Sequence, residues 1–103
     1  MRERSPCTYI MASGYYGTLY TGATSDIVAR VIQHREGTFD GFTAKHNVKR
    51  LVWFDTTSLM EDAFTAEKRI KRWRRDWKIV LIERDNPHWD DLAVSLLGLP
   101  PLP

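Results

Sequence analysis

The chain has 103 residues, 43% hydrophobic and 27% charged, which is typical of one small soluble globular domain. Its single cysteine, Cys7, excludes an intramolecular disulfide and a metal cage built from cysteines. The sequence has no run of signal-peptide length after the amino terminus and no apolar stretch that approaches a membrane span. We therefore expect a cytoplasmic protein with no membrane partner.

The formal net charge of +2 is distributed unevenly along the chain. Residues 67–78 contain seven basic and two acidic side chains, a net +5, whereas the remainder contains eight basic and eleven acidic side chains, a net −3. A concentrated cationic segment suits a polyanionic partner, although a solvated helix face has the same composition. Charge alone does not separate these two interpretations.

The predicted elements begin with a β-hairpin, formed by strands at 7–12 and 18–23 around a glycine-containing turn. Thr24-Ser25-Asp26 supplies cap residues for a helix that ends at Glu36-Gly37. Residues 37–49 read as a loop because they contain two glycines and several polar residues.

A third strand is predicted at 50–55 and a long helix at 60–77, which Thr57 or Ser58 would cap. The short run 77–82 is compatible with a strand or a second helical segment, and we favour the helix.

The carboxyl-terminal part begins with a turn at Asn86-Pro87, followed by a short helix at 88–97. Residues 1–95 are predicted to form one domain, and the proline- and leucine-rich tail 96–103 is expected to be extended and disordered.

Glu67 occupies an unusual position in the long predicted helix. It lies in the middle of a stripe at core-facing spacing, which is formed by Met60, Ala63, Phe64 and Ile70, with Trp77 on its flank. A carboxylate on such a line costs free energy unless a cation, a metal ion or hydrogen-bond donors meet it. Glu67 is therefore either half of a buried ion pair, with Arg30 or Lys71, or a site residue.

A second group of polar side chains lies in the hairpin and the first helix. Tyr9 and Tyr20 are on neighbouring strands and can point to one face, and Gly22 leaves room for a ligand or another backbone. The helix adds a polar stripe at i, i+4 and i+8, made of Asp26, Arg30 and His34. Taken singly, each residue also fits an ordinary role, such as a surface ion pair between Asp26 and Arg30.

The ordered set Thr8-Tyr9-Ile10, Tyr20-Thr21-Gly22, Arg30, His34 and Glu67 resembles the GIY-YIG nuclease superfamily, most closely its small stand-alone bacterial members. Three further segments share the resemblance, which covers about residues 7–92: Phe42–Asn47 with Arg50–Phe54, Ala66–Arg75, and Asn86–Leu92. The resemblance implies an α+β fold with a three-stranded antiparallel sheet flanked by helices, in the order β-β-α-β-α-α. It places the site on the sheet face between the first and second helices.

The implied activity is metal-dependent endonucleolytic hydrolysis of DNA phosphodiester bonds. The resemblance assigns the general base to Tyr20, with Tyr9 orienting or sharing its proton, and transition-state stabilisation to Arg30. His34 would form a hydrogen bond near the site, and Glu67 would hold one Mg²⁺ or Mn²⁺ ion. A single carboxylate completed by waters suits Mg²⁺.

DNA is the implied partner, with its strand state left open, and the protein is expected to be a monomer or weak dimer. Phosphate contacts are expected from the basic residues of the helix, which are Lys68, Arg69, Lys71, Arg72 and Arg75. Gly22 and Asn86 are expected to support the site. Trp73, which interrupts the basic run, is a candidate for stacking on a base. Two alternatives stay open: a non-catalytic nucleic-acid-binding module using 68–78, and a protein whose basic helix meets an acidic protein surface.

Overall fold

The computed structural model describes residues 5–102, so the predictions for residues 1–4 and 103 lie outside the described part. Three strands and five helices follow one another in this order: β1 Cys7–Ala12, β2 Leu19–Thr24, α1 Ile27–Glu36, α2 Gly41–Lys45, β3 Arg50–Thr56, α3 Met60–Lys71, α4 Arg75–Asp85 and α5 Leu92–Ser95. The predicted hairpin, first helix and third strand are confirmed.

The strands form one antiparallel sheet in the order β2-β1-β3, with β1 in the centre. Tyr9 on β1 lies opposite Gly22 on β2 and Phe54 on β3. A bulge after Ile10 shifts the register of β1 against β3 but not against β2. The predicted α+β fold with a three-stranded antiparallel sheet is therefore confirmed.

Helices cover both faces of this sheet, because β1 is apolar on both sides. One face packs against α1 and α5, and its buried cluster contains Cys7, Tyr9, Met11, Val31, Val48, Leu51 and Ala93. The other face packs against α3 and α4, and its cluster contains Ile10, Ala12, Val52, Trp53, Ile70, Ile82 and Trp89. Side-chain alternation along β1 therefore supplies both halves of the core.

Local capping fixes the position of α1. The Asp26 carboxylate accepts a hydrogen bond from the Ala29 N–H, and Gly37 ends the helix in the left-handed conformation at φ 73°. Both ends match the prediction, because cap residues act through the backbone next to them and need no tertiary partner.

The prediction of a loop throughout 37–49 is wrong, because α2 forms within it. Asp40 caps this five-residue helix, its carboxylate accepting from the N–H groups of Phe42 and Thr43 at 2.7 and 3.3 Å. A helix this short shows no periodicity of apolar residues, so the capping residue Asp40 was the sequence signal that could have predicted it.

The long helix predicted for 60–77 divides into α3 and α4, separated by an extended residue, Arg74, at ψ 155°. The run 77–82 lies in α4 and is therefore helical, as we favoured over a strand. A straight helix from Met60 to Asp85 would be about 39 Å long, which exceeds the 36 Å largest dimension of the molecule. The break lets both segments pack on the sheet.

The predicted Thr57 or Ser58 cap of α3 is also wrong, since Leu59 is the N-cap and no side chain caps α3.

The final helix is confirmed but shorter than predicted, and residues in the described part of the tail, 96–102, contact the domain. Leu97 and Leu99 pack against the core, and Arg35 donates to the Pro100 carbonyl while pairing with Asp91 at 3.1 Å. These contacts differ from the disorder expected for 96–103. None of the helices within residues 5–102 has the length and apolar character that crossing a membrane requires.

Candidate active site

Tyr9 is the centre of the candidate site. Its side chain is fully buried, and its hydroxyl lies 3.0 Å from Nε2 of His34 and 3.3 Å from Nη1 of Arg30. Three of the five predicted site residues are therefore joined by direct hydrogen bonds between β1 and α1. The one-turn spacing of Arg30 and His34 places both side chains against the same tyrosine.

Arg30 is held in place on two sides. Nη1 also donates to the Ala23 carbonyl at 3.4 Å, and the guanidinium carbon lies 3.9 Å from the centre of the Phe39 ring. Within residues 5–102, no hydrogen bond engages Nη2 or Nε of Arg30, which leaves three N–H groups for a ligand. Phe39 was missed from the sequence, because nothing in its spacing links it to Arg30.

His34 is fully buried between aromatic rings and a hydroxyl group. Its Nδ1 lies 3.2 Å from Oγ1 of Thr43, and its ring contacts the Tyr20 and Phe39 rings at 5.4 and 4.9 Å between centroids. Sequence reasoning also missed Thr43. A signal was present, since Thr43 belongs to the segment Phe42–Asn47 that shares the family resemblance, but its chemistry depends on α2.

The surroundings of His34 keep its imidazole neutral at pH 7. Burial lowers its pKa to about 4, the positive charge of Arg30 acts in the same direction, and the negative charge of Asp40 partly opposes them. The buried ring therefore acts as a hydrogen-bonding group and not as a cation.

Tyr20 differs from Tyr9 in being only partly buried. The two rings lie on the same face of the sheet, 6.4 Å apart, as predicted from the hairpin. The Lys71 ammonium group lies 5.7 Å from the centre of the Tyr20 ring. Tyr20 is thus the tyrosine that solvent and a substrate can reach.

The electrostatic surroundings of Tyr20 raise its pKa. Burial is the main cause, and the negative charges of Asp40 and Glu67 add to it, while Arg30 acts in the opposite direction. In the unliganded protein the opposing effect of Arg30 is therefore smaller than the effects that raise the pKa of Tyr20. The Tyr20 hydroxyl is protonated near neutral pH.

Glu67 lies on α3, at the border between solvent and protein. Its side chain is 18% exposed and pairs at 3.3 Å with Lys71, which is 48% exposed. Lys71 is one of the two partners considered from the sequence, but the pair is partly exposed and not buried. The predicted apolar stripe is also only partly correct, since Ala63 and Ile70 are buried whereas Phe64 is 48% exposed.

The site extends across the edge strand β2, a position that differs from the predicted one. Arg30 and His34 approach from the α1 face, whereas α3 packs on the opposite face of the sheet. Tyr20 contacts His34 from the first side and Lys71 from the second. Glu67 is near enough for its charge to raise the pKa of both tyrosines.

Gly22 makes room for Tyr9, not for a ligand or a second backbone. A Cβ atom at position 22 would lie 2.5 Å from the Tyr9 hydroxyl oxygen. The glycine of the second motif therefore allows the tyrosine of the first to lie across β2 and reach α1.

The predicted phosphate-binding residues divide into three groups. Lys68, Arg69 and Arg72 line an open hollow of about 430 Å³ together with Thr65 and Trp73. Lys71 faces Tyr20 and Glu67. Arg75 instead donates to the hairpin-turn carbonyls of residues 16 and 17, at 2.7 and 2.8 Å.

Asn86 lies apart from the other site residues and has a structural role. It is buried, its amide nitrogen donates to the carbonyls of Val52 and Asp90 at 3.0 and 2.9 Å, and its oxygen accepts from the Asp90 N–H. Asn86 thus ties the end of α4 to β3.

The donor set at Glu67 fits one hydrated divalent cation and no larger metal centre. Among residues 5–102 no group of three or more histidine, cysteine, aspartate or glutamate side chains is placed to hold a metal ion. A lone carboxylate completed by water molecules matches the way Mg²⁺ is commonly bound.

Comparison with known proteins identifies the family of this chain. Residues 5–80 match the model of the GIY-YIG catalytic domain, so the chain belongs to the GIY-YIG family. Membership supports a nuclease-type function.

The chain is also similar to bacterial UPF0213 proteins. Identity is 34% to one from Staphylococcus epidermidis, over 65% of this chain and 82% of the relative. Identity is 33% to one from Lacticaseibacillus paracasei, over 71% of this chain and 82% of the relative. No solved structure matches the chain significantly.

The close approach of Gly22 and Tyr9 gives a testable prediction. We expect Gly22→Ala to displace the Tyr9 ring and to lower the free energy of unfolding by about 1–3 kcal/mol, the usual cost of overpacking. Urea unfolding measures this change. Gly14→Ala is the matched control, because no atom lies within 4 Å of a Cβ added there. Equal stability of the two variants would contradict the proposed packing.

Proposed function

We propose that this protein is a metal-dependent endonuclease that hydrolyses DNA phosphodiester bonds at the edge of strand β2. The observation that carries the proposal is the guanidinium of Arg30, which contacts Tyr9, Ala23 and Phe39 while three of its N–H groups have no hydrogen-bond partner among residues 5–102. Its charge acts on the partly buried Tyr20. Phosphoryl transfer requires mainly positioning and stabilisation of negative charge, and this arrangement supplies both.

Arg30 binds the phosphoryl oxygens in this proposal and stabilises their charge in the transition state. A planar guanidinium with two fixed contacts and a stacked ring loses little freedom when it meets a phosphate. Tyr9 and His34 act through Arg30, since both are fully buried and lie behind it.

In this proposal Tyr20 first loses its hydroxyl proton to solvent, and the phenolate then accepts a proton from the attacking water; Tyr20 is assigned this role because it is the more exposed of the two tyrosines. Its raised pKa works against this role in the unliganded protein, and the charge of Glu67 is one of the causes. A divalent cation held by Glu67 would offset that negative charge and stabilise the departing oxygen. Lys71, which pairs with Glu67, adds a second positive charge beside Tyr20.

The hollow on the outer side of α3 is the proposed contact for the DNA backbone. It combines three cations with the partly exposed indole of Trp73, the pairing of charge and aromatic surface that nucleic-acid binding uses. Arg75 is excluded from this surface, because its guanidinium is engaged with the hairpin turn. The strand state of the DNA, the cytoplasmic location and the monomeric or weakly dimeric state remain predictions.

Replacing Glu67 tests the proposed activity. We expect Glu67→Gln to abolish Mg²⁺- or Mn²⁺-dependent cleavage of single-stranded, duplex and branched DNA, because the metal-binding charge is lost. Stability should change by no more than about 1 kcal/mol, since the pair with Lys71 is partly exposed. Glu61→Gln, on the exposed side of the same helix, is the matched control.

The two variants separate the possible outcomes. Cleavage by the Glu61→Gln protein and none by the folded Glu67→Gln protein would agree with the proposal. If neither they nor the wild type cleave DNA but all bind it, the protein is the non-catalytic binding module. A Glu67→Gln protein that cleaves as fast as the wild type would contradict the metal-binding role.

The basic hollow gives a second prediction. Replacing Lys68 and Arg72 with glutamine should weaken binding to all DNA sequences alike and reduce the slope of log affinity against log salt by about two. The charge-matched control replaces Lys45 and Lys49, which do not line the hollow. An equal loss of affinity in both double variants would show that overall charge matters and the hollow does not.

A further inference from the structure

Thr43 takes part in a chain of hydrogen bonds that ends at Arg30. Its hydroxyl lies 3.0 Å from the Asp40 carbonyl oxygen and 3.2 Å from Nδ1 of His34. On the other side of the imidazole, Nε2 lies 3.0 Å from the Tyr9 hydroxyl, which accepts from Nη1 of Arg30. Each of these groups has a limited number of protons, so the chain constrains where the protons lie.

The positions of the protons are fixed by the two ends of this chain of hydrogen bonds, the Asp40 carbonyl and the Arg30 guanidinium. A carbonyl oxygen only accepts, so the single Thr43 proton goes to Asp40, and the Thr43 oxygen is left to accept from His34 Nδ1–H. Nε2 of the neutral ring then accepts the Tyr9 proton. The Tyr9 oxygen is left free to accept from Arg30, whose guanidinium only donates.

The opposite tautomer fits less well. With the proton on Nε2, the Tyr9 oxygen would accept from both His34 and Arg30, and its own proton would have no acceptor in this chain. Thr43 would face two acceptors with one proton. A buried polar group left without a partner is destabilising, so the Nδ1–H form is favoured.

We propose that Thr43 is a positioning residue that holds His34 in the Nδ1–H tautomer and thereby orients Tyr9 to accept from Arg30. The expected effect on cleavage rests on the proposed function. The His34 tautomer is a property of the folded protein and can be measured without cleavage. Thr43 touches neither Arg30 nor any substrate directly, and it acts through two buried side chains.

The test compares Thr43→Val, which keeps the shape and removes the hydroxyl, with Thr43→Ser, which keeps the hydroxyl. Long-range proton–nitrogen NMR of the full chain at pH 7.5 reports which His34 nitrogen carries the proton, with the His34 signals assigned by their loss in His34→Gln. We expect Nδ1–H in the wild type and in Thr43→Ser. In Thr43→Val we expect a mixture or the Nε2–H form.

Cleavage gives a second readout that a purely structural role would not reproduce. In single-turnover assays with Mg²⁺ we expect Thr43→Val to cleave about tenfold more slowly, the factor that corresponds to one net hydrogen bond, with unchanged DNA affinity. Thr43→Ser should stay within about twofold of the wild type. The Asp40 carbonyl remains satisfied in Thr43→Val, because the Ala44 N–H also donates to it.

The outcomes are distinguishable. An Nε2–H signal in the wild type would overturn the proposal, and so would a Thr43→Val protein with the wild-type tautomer and rate. Failure of the wild type to cleave any DNA would refute the proposed function, while the NMR comparison would still decide whether Thr43 sets the tautomer.

Discussion

The hydrogen bonds of the Tyr9 hydroxyl to His34 and Arg30 are the interaction on which the site depends. They join the central strand to α1 and require a glycine at the facing position of β2. Local backbone chemistry aligns the partners, because Asp26 and Gly37 set the two ends of α1. The buried ring of His34 is neutral, so these hydrogen bonds stabilise one orientation of Arg30 without placing a second cation next to it.

The architecture explains why the candidate site lies at an edge of the sheet. Helices cover both faces of three strands, and the core needs both faces of β1. The edge strand β2 is where groups from the two layers approach each other, with Arg30 on one side and the Glu67–Lys71 pair on the other. Tyr20 contacts both layers. A substrate that binds along this edge would meet groups from both layers without penetrating the core.

Local signals predicted the elements, and tertiary constraints decided what the sequence left open. The hairpin, the caps of α1 and the placement of Tyr9 and Tyr20 on one face of the sheet followed from short-range patterns. The break at Arg74 did not, because no glycine or proline marks it and it depends on how α3 and α4 pack on the sheet. Thr43 was missed for the same reason, since its role depends on a short helix that capping stabilises. Phe39 was missed because nothing in its spacing links it to Arg30. The burial of Glu67 was overestimated because periodicity assigned it to the buried face of α3; Ala63 and Ile70 are buried there, but Glu67 is 18% exposed and pairs with the more exposed Lys71.

The central claim is that Arg30 meets the charge that develops on a phosphoryl group. It is tested most directly by single-turnover cleavage with the Arg30→Met protein, which keeps much of the aliphatic stem and loses the guanidinium. The account predicts a rate at least about a hundredfold lower, the usual effect of losing one transition-state stabiliser, with DNA affinity nearly unchanged. Thermal unfolding of the same sample establishes that the variant is folded. A folded Arg30→Met protein that cleaves DNA at the wild-type rate would contradict the account.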